Sequence, residues 1–493
     1  MKPKVAEAPP KKQRHKNPYV GPRAFRGDET LYGRDREKRE LCNLLVAERI
    51  VLLHAPSGAG KTSLIRAGLR PLLESRRFRP TKPLRVNTEP PEGLAVHNRY
   101  VFSAAVGILE TEEREKSVDP AELADLDFGA VVERAEAGGK EGFLVLVFDQ
   151  FEEILTLNPT DWEHQAVFFR ELGRMLVERP VWALFSMRED YIGGLERYLR
   201  HLPGHLATTY RLDFLNPSAA KDAIRLPAEA NEVTFTADAA EKLVGSLAVQ
   251  RIQSPGGKFR EVEAPYVQPL QLQVVCRKLW KAVAKEKGAN FHSIDDDDVD
   301  EYADIPGALR SYYAGAVADV VTETGAAETA IRNWFDTELI TAEGFRSQTL
   351  VGPDSEGVDP ARVLRALEDQ YLIRSDPRAG AVWWELTHDV MIEPIIEDNN
   401  ELREPWQIAA RRWNRDHRRD RLLSRAELRD ARKQSDKIEL AKVEEEFLEE
   451  SAHAEKKRSG QALLAAIVSL VGTLAFLEFI VIVVLGVMLY RRW

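Results

Sequence analysis

Cysteine is nearly absent: Cys42 and Cys276 are the two thiols of the chain, and neither belongs to a Cys-x-x-Cys pair. That excludes a disulfide framework and a thiolate zinc cluster, and it fits a reducing compartment. A basic excess is missing too. Lys and Arg number 69 against 79 Asp and Glu, a formal charge of −10, so no nucleic-acid partner held by phosphate neutralisation is expected. Residues 1–16 are basic and proline-bearing but hold no apolar run of the kind a secretory signal needs. They read as a disordered tail that leaves the N-terminus in the cytoplasm. No Gly-x-Ser-x-Gly elbow, no His-Glu-x-x-His motif and no calcium loop occurs; the acidic run Asp295–Asp298 reads as a helix start.

Against these absences stand 44% hydrophobic and 30% charged residues over 493 positions, enough for about three folded domains. Between residues 17 and 215, short apolar runs alternate with helix-length segments. The expected strands are Ile50–His54, Tyr100–Val106, Phe143–Phe148, Val181–Ser186 and Thr208–Leu212. This pattern predicts an α/β domain, a parallel sheet with helices on both faces. Residues 216–305 read as a helical domain opened by Asn216-Pro217-Ser218. Residues 306–400 read as a winged helix, with helices at Glu328–Leu339 and Val363–Gln370 followed by strands Tyr371–Arg374 and Val382–Leu386. Its helix at 362–370 balances two arginines with two acids, which suits a structural role better than reading DNA.

Residues 401–460 are charged at roughly every second position and predict a long solvated helix or stalk, on which Leu440, Val443 and Phe447 form a short apolar stripe. Residues 461–490 are apolar with Glu478 as their one charge, long enough to span a hydrocarbon core of about 30 Å, and residues 491–493 follow as a short tail. The expectation is a single-pass, tail-anchored membrane protein with its soluble portion in the cytoplasm. Ala465, Ser469 and Thr473 make a row of small residues suited to close helix packing, so clustered helices, with Glu478 between them, form a candidate membrane output beside that of a passive anchor.

The clearest chemistry lies at Ala55-Pro56-Ser57-Gly58-Ala59-Gly60-Lys61-Thr62, between an apolar strand and a helix. Small residues there let backbone N–H groups curl around phosphate oxygens; Lys61 reaches the outer phosphates and Thr62 offers its hydroxyl to Mg²⁺. Pro56, Ser57, Gly58, Ala59, Gly60, Lys61, Thr62 and Ser63 are thus the expected phosphate ligands. Phe143–Phe148 delivers Asp149 to the sheet edge as the second metal ligand. Glu152 or Glu153 supplies the base that orients water, and Arg188, ending the next strand, faces the γ-phosphate. The absence of Asn-Lys-x-Asp favours adenine over guanine, so the expected cofactors are ATP/ADP and Mg²⁺.

Taken together, Asn17-Pro18-Tyr19-Val20-Gly21-Pro22-Arg23-Ala24-Phe25, Tyr32-Gly33-Arg34, the Gly60–Gly68 segment and Asp149-Gln150-Phe151-Glu152-Glu153 resemble the STAND class of P-loop NTPases, in particular the novel STAND NTPase 1 group. The resemblance spans nearly everything from Asn17 to Ser459. It implies that Gly33 and Arg34 help hold adenine and that Pro269, in Pro265–Leu272, packs on the base. It also implies that His388, in Glu385-Leu386-Thr387-His388-Asp389, grips the β-phosphate of ADP. By the same resemblance the chain is a slow ATPase and a signalling switch that forms homo-oligomers on activation, of a kind found in bacterial conflict and antiviral defence. A separate sensor or effector protein is a further candidate partner. An AAA+-like membrane-associated remodelling ATPase with continuous turnover is the competing expectation.

Overall fold

The computed structural model describes residues 15–490 apart from 87, 89, 92, 113–118, 139–140, 157–159, 254–258, 289, 342–343, 345, 379–380, 415–416, 436–439 and 441. The chain divides into two compact units, one formed by Met1–Trp334 with Arg346–Ile395, the other by Phe335–Phe345 with Ile396–Trp493.

The first unit is built on five parallel strands: β1 (Ile50–Ala55), β2 (Phe78–Pro80), β3 (Phe143–Phe148), β4 (Trp182–Arg188) and β5 (Thr209–Arg211), in the order β2-β3-β4-β1-β5. Because alternate side chains leave opposite faces of a strand, β3 feeds two cores: Leu144, Leu146 and Phe148 enter one, Val145 and Val147 the other. Helices Arg99–Glu112, Phe128–Ala137 and Trp162–Glu178 cover the first face and Asp35–Glu48 with the helical segment after β1 the second. Phe148 stacks on Phe185 with ring centroids 5.2 Å apart.

Four of the five expected strands are present. The fifth, Tyr100–Val106, is instead the start of the helix Arg99–Glu112, and β2 takes the edge of the sheet. Its apolar run continues through Ile108 and Leu109, longer than a strand needs, and Asn98 caps it by accepting from the Tyr100 and Val101 amides.

The helical region after β5 opens as expected, with Asn216 capping Pro217–Glu229 through the Ala219 amide. It also holds an antiparallel hairpin, Val249–Gln253 with Phe259–Glu263, that the reading of this stretch as wholly helical did not foresee. Asp295 and Asp298 close a capping box at the helix Asp296–Tyr302. In the wing, Ala381–Leu386 is the central strand between Ile373–Arg378 and the short Gln348–Thr349. The hairpin strands run closer to the turn than expected; its tip, Ala379 and Gly380, lies outside the described residues, as do residues 1–14 of the expected N-terminal tail.

The second unit departs from the expected single stalk. Helices Pro405–Asn414 and Arg425–Ser435 fold onto the first turns of Lys442–Tyr490, and Trp406, Trp413, Leu428 and Phe447 form their shared core. Phe447 is therefore buried within this unit. Asp336 binds Arg403, reinforcing the packing. Lys442–Tyr490 is one continuous helix, yet among the described residues no helix is long and apolar enough to cross a membrane. The transmembrane part of the sequence expectation gains no support from this architecture. The side chains of Ala465 and Ser469, and residues 491–493, lie outside the described residues.

Candidate functional site

The strand order decides the site. β4 lies between β1 and β3, so the residues at its end separate the loop after β1 from the acids after β3. In register, Ala55 at the end of β1 pairs with Arg188 of β4, and Phe148, next to Asp149, pairs with Phe185. The loop 56–60, Arg188 and Asp149 therefore share one edge of the sheet.

Asp149 is buried, at 3% exposure. Its Oδ2 accepts from Thr62 Oγ1 at 2.8 Å and its Oδ1 from Ser186 Oγ at 2.9 Å. The two residues expected to share a metal thus face each other. A hydroxyl and a carboxylate oxygen are the donor types that a hard cation such as Mg²⁺ takes, so the residues present fit that ion. Ser186 was not foreseen as part of the site. A fully buried hydroxyl in the otherwise apolar strand TrpAlaLeuPheSerMetArg is the signal that points to it.

Lys61 opens the helix after the loop, and its ammonium reaches the Ala55 carbonyl at 3.5 Å. Burial lowers its pKa, with Glu152 and Asp149 opposing the shift. The two candidate bases separate. Glu152 is on the Lys61 side, where its carboxylate accepts from the Arg188 amide at 3.3 Å, and burial raises its pKa. Glu153 turns to Arg85 in an ion pair, and burial pushes its carboxyl up to about 8 despite that partner. Arg188 spends its guanidinium on Glu385 at 3.2 Å and Asp190 at 2.8 Å and lies over the Tyr191 ring.

The wing enters the same site. A Cβ added at Gly58, whose φ is +78°, would lie 2.6 Å from both Cε1 and Nδ1 of His388; only glycine allows the imidazole this close to the loop. The Thr387 carbonyl lies 3.5 Å from Ser57 Oγ, and Arg374 donates to that hydroxyl. Burial, with Arg374 and Arg346 adding positive potential, pushes His388 down to about 3, so its imidazole is neutral at physiological pH and offers one N–H donor. Arg374 and Glu385 were not singled out by sequence reasoning as site residues, because the partners that tie them to this site, Ser57 and Arg188, are far away in the chain.

On the other side of the loop, a small apolar cavity is lined by Tyr32, Arg34, Ala59, Gly60, Ala223 and Pro269, among others. Pro269 stands there as the first residue of the helix Pro269–Glu286. Gly33 shapes this region through its backbone: at φ +76°, a Cβ would meet the Ala219 carbonyl at 2.3 Å. Arg34, 5% exposed, is tied by its guanidinium to the Ala59 and Asp213 carbonyls at 2.9 and 2.8 Å and to Glu37. Ser63 Oγ accepts from the Phe25 amide at 3.2 Å, fastening the N-terminal segment to the same corner.

Comparison with known proteins gives one family match. The family model described as Novel STAND NTPase 1 matches residues 18–439. No curated protein matches the chain. Among solved structures, the ADP form of the Aeropyrum pernix ORC2 protein is similar at 11% identity and TM-score 0.38, covering 76% of this chain and 95% of that one. Its ADPNP–ADP complexes are similar at 12% identity and TM-score 0.39, with the same coverage.

Proposed function

Because the chain belongs to the Novel STAND NTPase 1 family, we propose that it is a switch worked by an adenine nucleotide held jointly by phosphate loop, lid and wing. The observation that carries this reading is the seat of His388 against Gly58, which puts a wing imidazole on the phosphate loop itself. A wing that merely packed on the sheet would have no reason to bring a neutral donor to that glycine.

In this reading the loop amides and Lys61 enclose the phosphates, and Thr62 and Asp149 would hold Mg²⁺. The ion, when bound, neutralises charge on the outer phosphates. Glu152 orients the attacking water, and the cavity beside Tyr32, Arg34 and Pro269 takes adenine. With ADP, His388 donates to the β-phosphate and the wing stays closed. With ATP, the γ-phosphate competes with Glu385 for Arg188 and the wing is released. Each nucleotide thus favours one state through contacts that the other lacks.

Release of the wing frees surfaces for homo-oligomerisation, and signalling in bacterial conflict or antiviral defence, triggered through a separate sensor or effector protein, is the setting the family suggests. We place residues 461–490 in a lipid bilayer, with the NTPase on the cytoplasmic side. The apolar sequence supports this, as do Leu470, Val471, Leu474 and Phe476, which stand exposed along the helix. Deleting 461–490 should then abolish flotation of the protein with liposomes; unchanged flotation would count against the anchor.

Light scattering and phosphate release on the detergent-solubilised full chain test the switch. Slow turnover and a larger species with ATP than with ADP are expected. Rapid steady turnover at constant size would instead favour a remodelling motor.

A further inference from the structure

We propose that Arg374 is a phosphate-binding residue supplied by the wing, a second cation beside Lys61 at the phosphate loop, and that Glu385 is its positioning residue. The inference deepens the nucleotide-switch reading and rests on it.

Arg374 lies near the start of the second wing strand, and its Nη1 donates to Ser57 Oγ of the loop although 317 residues separate them. Directly across the hairpin, Glu385 is its register partner and takes its Nε at 2.6 Å. Glu385 is 3% exposed and also binds Gln348 at 2.7 Å, so the carboxylate is fixed from two strands. The same carboxylate binds Arg188 at 3.2 Å and lies 3.9 Å from Arg346. One buried anion therefore serves three guanidiniums and aims one of them at the loop.

A guanidinium at the mouth of a phosphate loop is poorly spent on a neutral hydroxyl. Its planar fork matches phosphate oxygens and can bind them bidentately, with charge on both partners. The positive potential of Arg374 reaches His388, where with burial it helps to keep the imidazole neutral. Cations held together against their own repulsion are the arrangement an anion between them would stabilise. In the same corner Thr387 Oγ1, next to the carbonyl that approaches Ser57, is buried with no hydrogen-bond partner among the described residues, as is Arg188 Nε. Two further polar groups are thus left open to an acceptor. The ligand chemistry is the polyphosphate of a nucleoside di- or triphosphate, and the residue would separate these from monophosphates.

The test titrates the nucleotide-free full chain with the fluorescent N-methylanthraniloyl derivatives of ADP and AMP. Arg374→Ala should weaken the ADP derivative about tenfold or more and the AMP derivative less than about twofold. Glu385→Gln should show the same selectivity with a smaller loss. Equal weakening of both ligands, the mark of a merely structural role, or weakening of neither, would overturn the proposal. Should the alanine variant not fold, Arg374→Gln carries the same test at similar side-chain length. Lys61→Ala separates the two levels. If it leaves the ADP derivative bound, the phosphate-loop reading itself fails; if it abolishes binding while Arg374→Ala changes nothing, this inference fails alone.

Discussion

Replacing Glu385 by glutamine keeps the side chain's shape and removes the one negative charge set among Arg188, Arg374 and Arg346. Burial alone would raise that carboxyl, but Arg374, Gln348 and Arg346 overcome it and hold the group at about 2 instead of its ordinary 4.5. A carboxylate depressed in the folded state stabilises the fold fully above its unfolded pKa, and that contribution is lost as pH falls through the folded value. The window here runs from 4.5 down to about 2. At about 1.4 kcal/mol per pH unit the gap converts to about 3 kcal/mol, within the range of about 3–5 kcal/mol for breaking a buried ion pair. At 3% exposure there is little water to screen it. Urea unfolding of wild type and variant, followed by far-UV circular dichroism, reads this out. The variant should be about 3 kcal/mol less stable at neutral pH, with the difference shrinking as pH drops below 4.5. A difference below about 0.5 kcal/mol at neutral pH, or one that persists undiminished at pH about 3, would refute the reasoning.

Three other outcomes follow from the geometry. Gly58→Ala forces a side chain into positive φ and against His388, so it should lower the thermal midpoint; pairing it with His388→Ala should recover part of the loss, and strict additivity of the two would deny the contact. Glu153 is raised to about 8, so whatever stability its protonated form contributes is complete below 4.5 and lost as pH rises through 8. Glu153→Gln should therefore gain on wild type between those limits, and a flat difference in urea titrations would contradict the burial argument. In the second unit, Trp413→Ala removes a buried ring that packs on Phe447 at 5.6 Å and should cost about 3–5 kcal/mol in the unfolding of that unit, while a cost below about 1 kcal/mol would show that the helices hold together otherwise.

The strand–loop–helix around Gly58 and Lys61 was legible because every part of it is local: an apolar run, small residues at fixed spacing and a helix start within fifteen positions. Asp149 and Arg188 could be placed for a similar reason, each ending an apolar strand. Tyr100–Val106 misled because a buried helix and a buried strand both present unbroken apolar residues, and the length beyond Val106 was the deciding evidence of helix. The charged region after residue 400 hid a core because its apolar residues are split among three helices, Trp406 and Trp413 on the first, Leu428 on the second and Phe447 on the third, each set among charged residues. Arg374 was invisible as a site residue for a deeper reason: its partner Ser57 lies more than three hundred residues away, and only the folded wing brings them together. His388 was found through its resemblance to a family motif, and its contact with Gly58 is a fact of packing that no spacing in the chain encodes.

The claim on which the account rests is that the loop from Pro56 to Gly60, with Lys61, encloses the phosphates of an adenine nucleotide beneath the wing. Chromatography of the nucleotide released on denaturing the purified protein tests it most directly. ADP is expected at near one equivalent in wild type and essentially none in Lys61→Ala. Wild type that carries none and gives no heat when titrated with ADP or ATP in magnesium buffer, or a Lys61→Ala variant as fully loaded as wild type, would contradict it.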